Sequence, residues 1–473
     1  MNEETVRFVS EASHALNSHH GIEARNAVGQ AMPLARTTAM QSLTGFEELR
    51  RQVKAVKQHT IDNLHYYLSC FEREALRNGN HVHFARNGNE MNSIVLKICQ
   101  QHDARRVAKG KSMVTEESEL NTYLERAGLE VTETDLGEYI LQQAGESPSH
   151  IVVPALHKSL DDVRSLFLEK HPLGERELKG APELVDEARG ILREKFLQAD
   201  VGIVGSNALI AENGYSMLVT NEGNGDLCAN LPKVLIVCTT IDKLLPRGRD
   251  AMAQLRLLAR SAIGQNITSY TSFYSGPRKG EDLDGPIETH FVLLDNKRSD
   301  ILNSDYAEML HCMRCGACLH HCPVYIAAGG HAYGSVYSGP MGSVLTPLLT
   351  SLEQSHALPN ACTSCGRCEE VCPAGIAIPD LLRDLRHDEH QQKLSPARWR
   401  LGIRLHGWLS SRQRLYQLLM RLLIPVLNLI GRKRGYLRRL PFAGGWMSMR
   451  DFPTPQKNTF MQQYKSAKGR SRE

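Results

Sequence analysis

Apolar and polar positions follow three regimes along the chain. Over residues 1–57 apolar residues recur at helical spacing, with breaks expected at Pro33 and Gly45. The charges of "EELRRQVKAVK" (47–57) predict a solvated helix there. From 58 to about 300, helical and strand patterns take turns. Helices are predicted for "IDNLHYYLSCFEREALRN" (61–78), "NSIVLKICQQH" (92–102), "ELNTYLERAG" (119–128), "SLDDVRSLFLEKH" (159–171) and "ELVDEARGILREKFLQA" (183–199). Strands are predicted for "HVHFA" (81–85), "LEVTE" (129–133), "HIVVPAL" (150–156), "VGIVG" (201–205), "YSMLVT" (215–220) and "KVLIVCT" (233–239). "NEGNG" (221–225) reads as a turn joining the strand at 215–220 to the next one. This alternation predicts an α/β sheet covered on both faces. After 300 the apolar pattern is helical again, in "GSVLTPLLTSLEQ" (342–354), interrupted at Pro347, and in "IPDLLRDLRHDEHQQK" (378–393), opened by Pro379.

The chain has 473 residues, enough for two to four domains at roughly 150 residues each. The expected division is a helical segment at 1–57, an α/β domain at 58–300, an all-α domain at 301–390 and a tail at 391–473. Charge sharpens the last boundary. From Lys393 onward there are 18 Lys and Arg against 2 Asp and Glu, which leaves 38 against 50 in the rest. An acidic body thus carries a basic tail, suited either to a polyanionic surface such as a membrane or to an acidic protein face. The N-terminus "MNEETVRFVS" has no apolar core, so no secretory signal is expected. No spanning helix is expected either. The longest apolar stretch, "LYQLLMRLLIPVLNLIG" (415–431), is broken by Arg421, Pro425 and Asn428. A cytoplasmic location, peripheral at most to the inner face of a membrane, follows as the expectation, and the twelve cysteines read as thiols.

Eight of those cysteines carry the chemistry. Residues 312–323 read "CMRCGACLHHCP" and residues 362–373 read "CTSCGRCEEVCP". Both have the C-x2-C-x2-C-x3-C-P spacing of bacterial two-cluster ferredoxins, in which the fourth cysteine ligates the other cluster. The expected sites are two [4Fe-4S] clusters. One takes Cys312, Cys315, Cys318 and Cys372; the other takes Cys362, Cys365, Cys368 and Cys322. Zinc would use paired knuckles of four ligands, and would leave the third cysteine and the proline of each run without a purpose. Gly316 and Gly366 suit loops in which backbone approaches sulfide closely. Arg314 and Arg367 either raise a cluster potential or are solvated loop residues. His311, His320 and His321 flank a ligand set already complete. Two such clusters with no other redox group form a relay for single electrons.

The α/β region offers weaker signals. "GIVGSNALIAENG" (202–214) lacks the order of a dinucleotide loop, and Gly202, Gly205 and Gly214 suit tight turns and close packing. In "KGKSMVTEESELN" (109–121), Thr115 is an expected N-cap with Glu116, Glu117 and Ser118 in the first turn. The alternative is a carboxylate at the carboxyl edge of the sheet, with "ETDLGEYI" (133–140) and "DLDGPIETH" (282–290) lining the same crevice. Cys99 and Cys238 suit buried packing, and Cys70 and Cys228 show no mutual spacing. No catalytic residue is assigned.

Together, "KGKSMVTEE", "ETDLGEYILQ", "PSHIVVPALHK", "ADVGIVGSNALIAENGYSMLVTNEGNGDLCANLP", "GPRKGEDLDGPIETHFVLLDN" and the paired cysteine runs closely resemble the lactate-utilisation protein B family, the YkgF-type iron–sulfur proteins. The resemblance spans roughly 60–390. It implies a LUD domain of the NagB/RpiA/CoA-transferase-like group followed by a helical ferredoxin-type domain. It also implies an iron–sulfur electron-transfer subunit of a system that oxidises L-lactate to pyruvate. The partners implied are a CCG-domain cysteine-rich iron–sulfur protein and a second LUD protein; no nucleic acid is expected. Quinone-side contact through the basic tail is a further expectation. The alternatives are a self-contained oxidoreductase whose LUD domain binds a substrate or nucleotide, and a scaffold whose clusters only stabilise the fold.

Overall fold

Short strands with branched side chains, each followed by an amphipathic helix, can bury both strand faces only as a parallel sheet between helical layers. The computed structural model, which describes residues 7–18, 21–174, 176–440, 447 and 450–470, has this arrangement. Ten strands build its α/β part: β1 (His81–Ala85), β2 (Arg106–Lys109), β3 (Glu130–Glu133), β4 (Val201–Val204), β5 (Ala208–Ile210), β6 (Tyr215–Thr220), β7 (Val234–Thr240), β8 (Leu244–Leu245), β9 (Tyr270–Tyr274) and β10 (Glu288–Leu294). Six form an all-parallel sheet in the order β1-β10-β7-β4-β2-β3. Its two faces bury different side chains from the same strands. Leu235, Val237, Phe291 and Leu293 enter one core, while Val234, Ile236, Cys238, Val292 and Leu294 enter the other. A smaller mixed sheet, β8-β5-β6-β9, stands beside it. Gly202 in β4 is fixed by close packing, because a Cβ there would lie 1.8 Å from the carbonyl oxygen of Cys228.

The direction of winding reverses between β2 and β4. From β2 the chain steps outward to β3, then returns to β4 and proceeds the other way through β7 to β10. The carboxyl ends of β2 and β4 therefore splay at a topological switch point, where open α/β sheets place their ligands.

Residues 298–391 are helical, with short helices around the cysteine loops and longer ones at Gly339–Leu349 and Ile378–Gln391. Their core does not stand alone. Phe8, Phe46, Val53 and Ile61 from the N-terminal helices, and Leu257 and Leu258 from the helix Gly248–Ile263, share it with Met309, Leu319, Tyr325, Val344 and Leu382. The chain divides into two compact units, 1–389 and 390–473. The second holds the helices Ala397–Ser410 and Gln413–Gly431, a two-stranded ribbon pairing Tyr436–Leu437 with Phe452–Pro453, and the helix Phe460–Arg470.

Several local expectations are corrected. Pro33, Pro347 and Pro425 lie inside continuous helices. The helix Gln413–Gly431 is long and apolar enough to cross a membrane by length and composition alone, and Arg421, Pro425 and Asn428 do not break it. "HIVVPAL" is not a strand but a run of turns. Ile151 and Val152 are apolar because they pack on the loop at Gly316, within 3.5 Å of a Cβ placed there. "NEGNG" opens the short helix Asn224–Asn230 rather than a hairpin, since β6 and β7 belong to different sheets. Ser112, not Thr115, holds the N-cap position of the helix Met113–Glu117. The helix Phe46–Asp62 is not simply solvated, for Val53 and Lys57 are buried. Trp446, and residues 1–6 of the N-terminal stretch read above, lie outside the described residues.

Candidate functional site

The two cysteine runs fold as copies. Arg314 and Ser364, two residues after the first cysteine of each run, both take left-handed backbone, at φ 59° and 56°. Gly316 and Gly366, one residue after the second cysteine, follow at 77° and 78°. Successive left-handed turns point backbone N–H groups into the loop. The N–H of Arg314 donates to Cys312 Sγ at 3.5 Å, that of Ser364 to Cys362 Sγ at 3.2 Å, and that of Ile376 to Cys372 Sγ at 3.5 Å. Donors aimed at sulfur stabilise thiolate and sulfide, which is the chemistry an iron–sulfur cluster needs from its loop.

The fourth cysteine of each run turns away from its own loop. Cys312, Cys315, Cys318 and Cys372 line one pocket, whereas Cys322, Cys362, Cys365 and Cys368 line another. All twelve cysteines are free, so no disulfide competes for these sulfurs. Burial pushes the metal-free thiols of Cys315 and Cys368 up to about 12 and those of Cys322 and Cys372 up to about 11. Thiolate at such depth requires a bound cation, and iron would supply it. The two pockets differ in depth: Cys315, Cys318 and Cys372 are buried in the first, while Cys365 is exposed in the second. Cys70 is half-buried, and Cys99, Cys228 and Cys238 are buried in the α/β part.

Charged groups from distant segments converge on the first pocket. Arg314 is buried, with its Nη2 3.7 Å from Asp242 Oδ2 and its guanidinium 5.2 Å from the centre of the Tyr337 ring. Asp242 also binds Arg298 Nε at 3.0 Å. Arg298 grips Glu117 with both terminal nitrogens, at 3.0 and 2.8 Å, and Tyr337 donates to Glu117 at 2.5 Å. Arg298, Glu117 and Asp242 side chains have no solvent exposure. The attraction of Arg298 holds both carboxyl groups below the usual range despite their burial. Arg367 sits in the other loop, half exposed and paired with Glu370 at 2.5 Å. Of the histidines flanking the ligands, His320 stacks on His150 at 4.8 Å, His321 bonds the Ala317 carbonyl at 2.8 Å, and His311 is buried. The N-terminal helices add cations. Arg36 Nη2 donates to the Val371 carbonyl at 2.9 Å, and Arg50 Nε to the Cys372 carbonyl at 2.7 Å.

A cavity of about 250 Å³ lies at the switch point and reaches the first pocket. Gly110 and Lys111 beyond β2, Val204, Gly205, Ser206 and Asn207 at the end of β4, and Lys243 line it, and Met313, Arg314 and Cys315 form its far wall. Ser112 Oγ and Asn224 Oδ1 are buried in its wall without a hydrogen-bond partner. Lys111, Lys243, Arg314 and the Ser112 hydroxyl, all able to donate, suit a small anion. Of the sequence-predicted polar stretches, 109–121 and 133–140 both line this cavity, through Lys111, Ser112 and Asp135, and only 282–290 lies elsewhere. Asp135 lines the cavity, but its carboxylate caps the helix Leu136–Ala144 through the N–H of Gly137 at 3.0 Å. Residues 282–284 are exposed, and Glu288 and His290 lie at the opposite edge of the sheet.

The same two stretches, 109–121 and 133–140, also meet in a second buried cluster, whose lysine the sequence reading did not single out. Lys109, at the end of β2, has no solvent exposure and binds Glu133 at 2.6 Å and Glu116 at 3.1 Å. Nearby, burial and those carboxylates push Glu138 up to about 8. The available signal was a lysine directly after the apolar pair Val107 and Ala108, with glutamates at 116 and 133.

Comparison with known proteins fits this layout. Residues 68–294 match the LUD domain and residues 308–376 the 4Fe-4S dicluster domain. Lactate utilization protein B of Bacillus velezensis is 38% identical over 98% of this chain and 97% of its own. The chain belongs to the lactate utilization protein B family. The family member from a Geobacillus strain is 41% identical, over 93% of this chain and 94% of its own. In this lactate utilization protein B family chain the LUD match runs from just before β1 to the end of β10, and the dicluster match encloses all eight motif cysteines. A solved DUF162 family protein from Deinococcus radiodurans, 14% identical, covers 49% of this chain and 98% of its own at a TM-score of 0.29, too low to bear on the fold.

Proposed function

We propose that this chain is the iron–sulfur electron-transfer subunit of a system that oxidises L-lactate to pyruvate. Cys312, Cys315, Cys318 and Cys372 would hold one [4Fe-4S] cluster and Cys322, Cys362, Cys365 and Cys368 the other. Bound there, the clusters would accept and release single electrons; lactate oxidation yields two electrons and two protons, one electron for each cluster. The observation that carries the reading is the crossed arrangement of the cysteines. One set is buried against the anion-suited cavity and the other reaches the surface at Cys365, which supports a path from inside to outside. Arg314 favours the reduced state of the inner site, and the Asp242–Arg298–Glu117 chain holds it in place. Substrate oxidation itself is assigned to the partners, a CCG-domain cysteine-rich iron–sulfur protein and a second LUD protein. The tail at 391–473 would contact an anionic, quinone-bearing membrane face. Trp399, Trp408, Leu418, Leu422 and Leu429 are exposed on its helices among basic residues.

A second reading has a specific observation in its favour. The cavity between Lys111, Lys243 and Arg314 ends at Cys315, so a hydroxy acid bound there would lie beside the inner site. Anaerobic mixing of the isolated, cluster-loaded chain with L-lactate separates the two. The electron-transfer reading expects visible cluster absorption to bleach only when both partners are added. Bleaching of the chain alone would transfer the oxidation step to the LUD cavity. No reversible reduction by any donor would leave only a scaffold.

A further inference from the structure

Five titratable side chains gather at the edge of the large sheet opposite the cavity. β1 and β10 run parallel in a register that sets His81 beside His290. The two-residue period of a strand then puts His81 and His83 of β1 on the same face as Glu288 and His290 of β10. His102, which ends the helix Gly88–Gln101, reaches the same face. Farther along that face Ala85, Val292 and Leu294 are buried in an apolar core. The imidazoles thus occupy positions where packing alone would ask for more apolar residues.

Glu288 is central. Its Oε1 lies 3.0 Å from His290 Nε2 and 3.4 Å from His81 Nε2, and its Oε2 lies 3.1 Å from His102 Nε2. The ligating atoms of His102, Glu288 and His290 all fall within 4.8 Å of one another. His290 is 3% exposed, and its Nε2 is not aligned for a hydrogen bond with any neighbour. Its other nitrogen is taken: Nδ1 is 3.1 Å from His83 Nε2. With the proton on Nδ1, donated to His83, the Nε2 lone pair is free to bind a cation. A hydrogen bond from His290 Nε2 to Glu288 is the competing explanation, and the poor alignment of that 3.0 Å contact speaks against it.

We propose that His102, Glu288 and His290 bind a divalent first-row transition metal such as zinc, with His83 fixing the His290 tautomer and His81 at the solvent side. Two imidazoles and one carboxylate form a three-ligand set of the kind that leaves a coordination position open. The set contains no thiolate, so it is chemically distinct from the cysteine loops. Bound metal would join β10 to the end of the helix Gly88–Gln101, with the edge strand β1 reaching it through the His83 contact to His290.

The test uses tag-free, full-length, cluster-loaded protein under anaerobic conditions. It is incubated with zinc, passed through a desalting column and assayed for zinc, iron and acid-labile sulfide. Wild type is expected to retain about one zinc per chain above unchanged iron and sulfide, with a zinc K-edge spectrum fitted by nitrogen and oxygen neighbours alone. His102→Gln, at a partly exposed helix end, and Glu288→Gln should each lose that zinc while keeping their iron. His83→Gln should weaken binding by about 10–100-fold. No retained zinc, a sulfur shell around it, or undiminished zinc in both the His102→Gln and Glu288→Gln variants would overturn the proposal.

Discussion

Arg314 and Arg367 stand in duplicated loops, yet their surroundings make them different residues. Arg314 is buried beside Cys312 and held by Asp242, so its charge acts through little solvent; Arg367 is half exposed and answered by Glu370. Arg314→Gln should lower the midpoint potential of the inner site on the order of tens of millivolts, whereas Arg367→Gln should leave both potentials near wild type. Redox titration followed by electron paramagnetic resonance reads both. The crossed ligands give a second test. Cys372→Ser should damage the same centre as Cys312→Ser, and the double variant should lose no more iron than either single one. Glu138 supplies a pH test. Its pKa is about 8 when folded and near 4.5 when unfolded, so the unfolded chain ionises first and stability is lost as pH rises between those values. Glu138→Gln should therefore melt above wild type at pH 8, by roughly 1–3 kcal/mol, with the gap closing toward pH 5. The cysteine loops were legible in sequence because their spacing is local. Arg314's setting was not, because Asp242 and Tyr337 reach it from other segments of the chain.

At the scale of elements, the periodic segments were readable and their exceptions have physical causes. "HIVVPAL" has a strand's composition, but its apolar side chains serve the loop at Gly316 instead of a sheet. β10 escaped notice because "ETHFVLL" opens with Glu288 and His290, which belong to the polar edge cluster. β2 is only four residues long, two of them charged. The helix Gln413–Gly431 runs through Pro425, so its exposed Leu418, Leu422, Leu429 and Ile430 belong to one element. With the basic residues of the same unit, this predicts membrane affinity. Full-length protein should pellet with vesicles rich in anionic lipid and be released by salt, while a chain ending at residue 390 should stay in the supernatant with its iron content unchanged.

For the whole molecule, alternation along 58–300 was enough to predict an α/β sheet covered on both faces, because burial on two faces leaves a continuous apolar run in strands such as β4 and β7. The role of the first 57 residues left no such record. The charges of 47–57 read as solvated, yet Arg50 and Lys54 bind carbonyl groups of Cys372 and Gly375, and Arg25 and Arg36 bind those of Ile326 and Val371. A pattern that reports local exposure does not reveal a partner three hundred residues away.

That long-range clasp fixes an order of events during synthesis. The helices that carry Arg36 and Arg50 are made well before the carbonyls they bind, which emerge only after some three hundred further residues. Iron and sulfide delivered before then would meet an open loop with one ligand still untranslated. Loading with iron would accordingly wait for the far end of the cysteine region, to be sealed by helices made long before it.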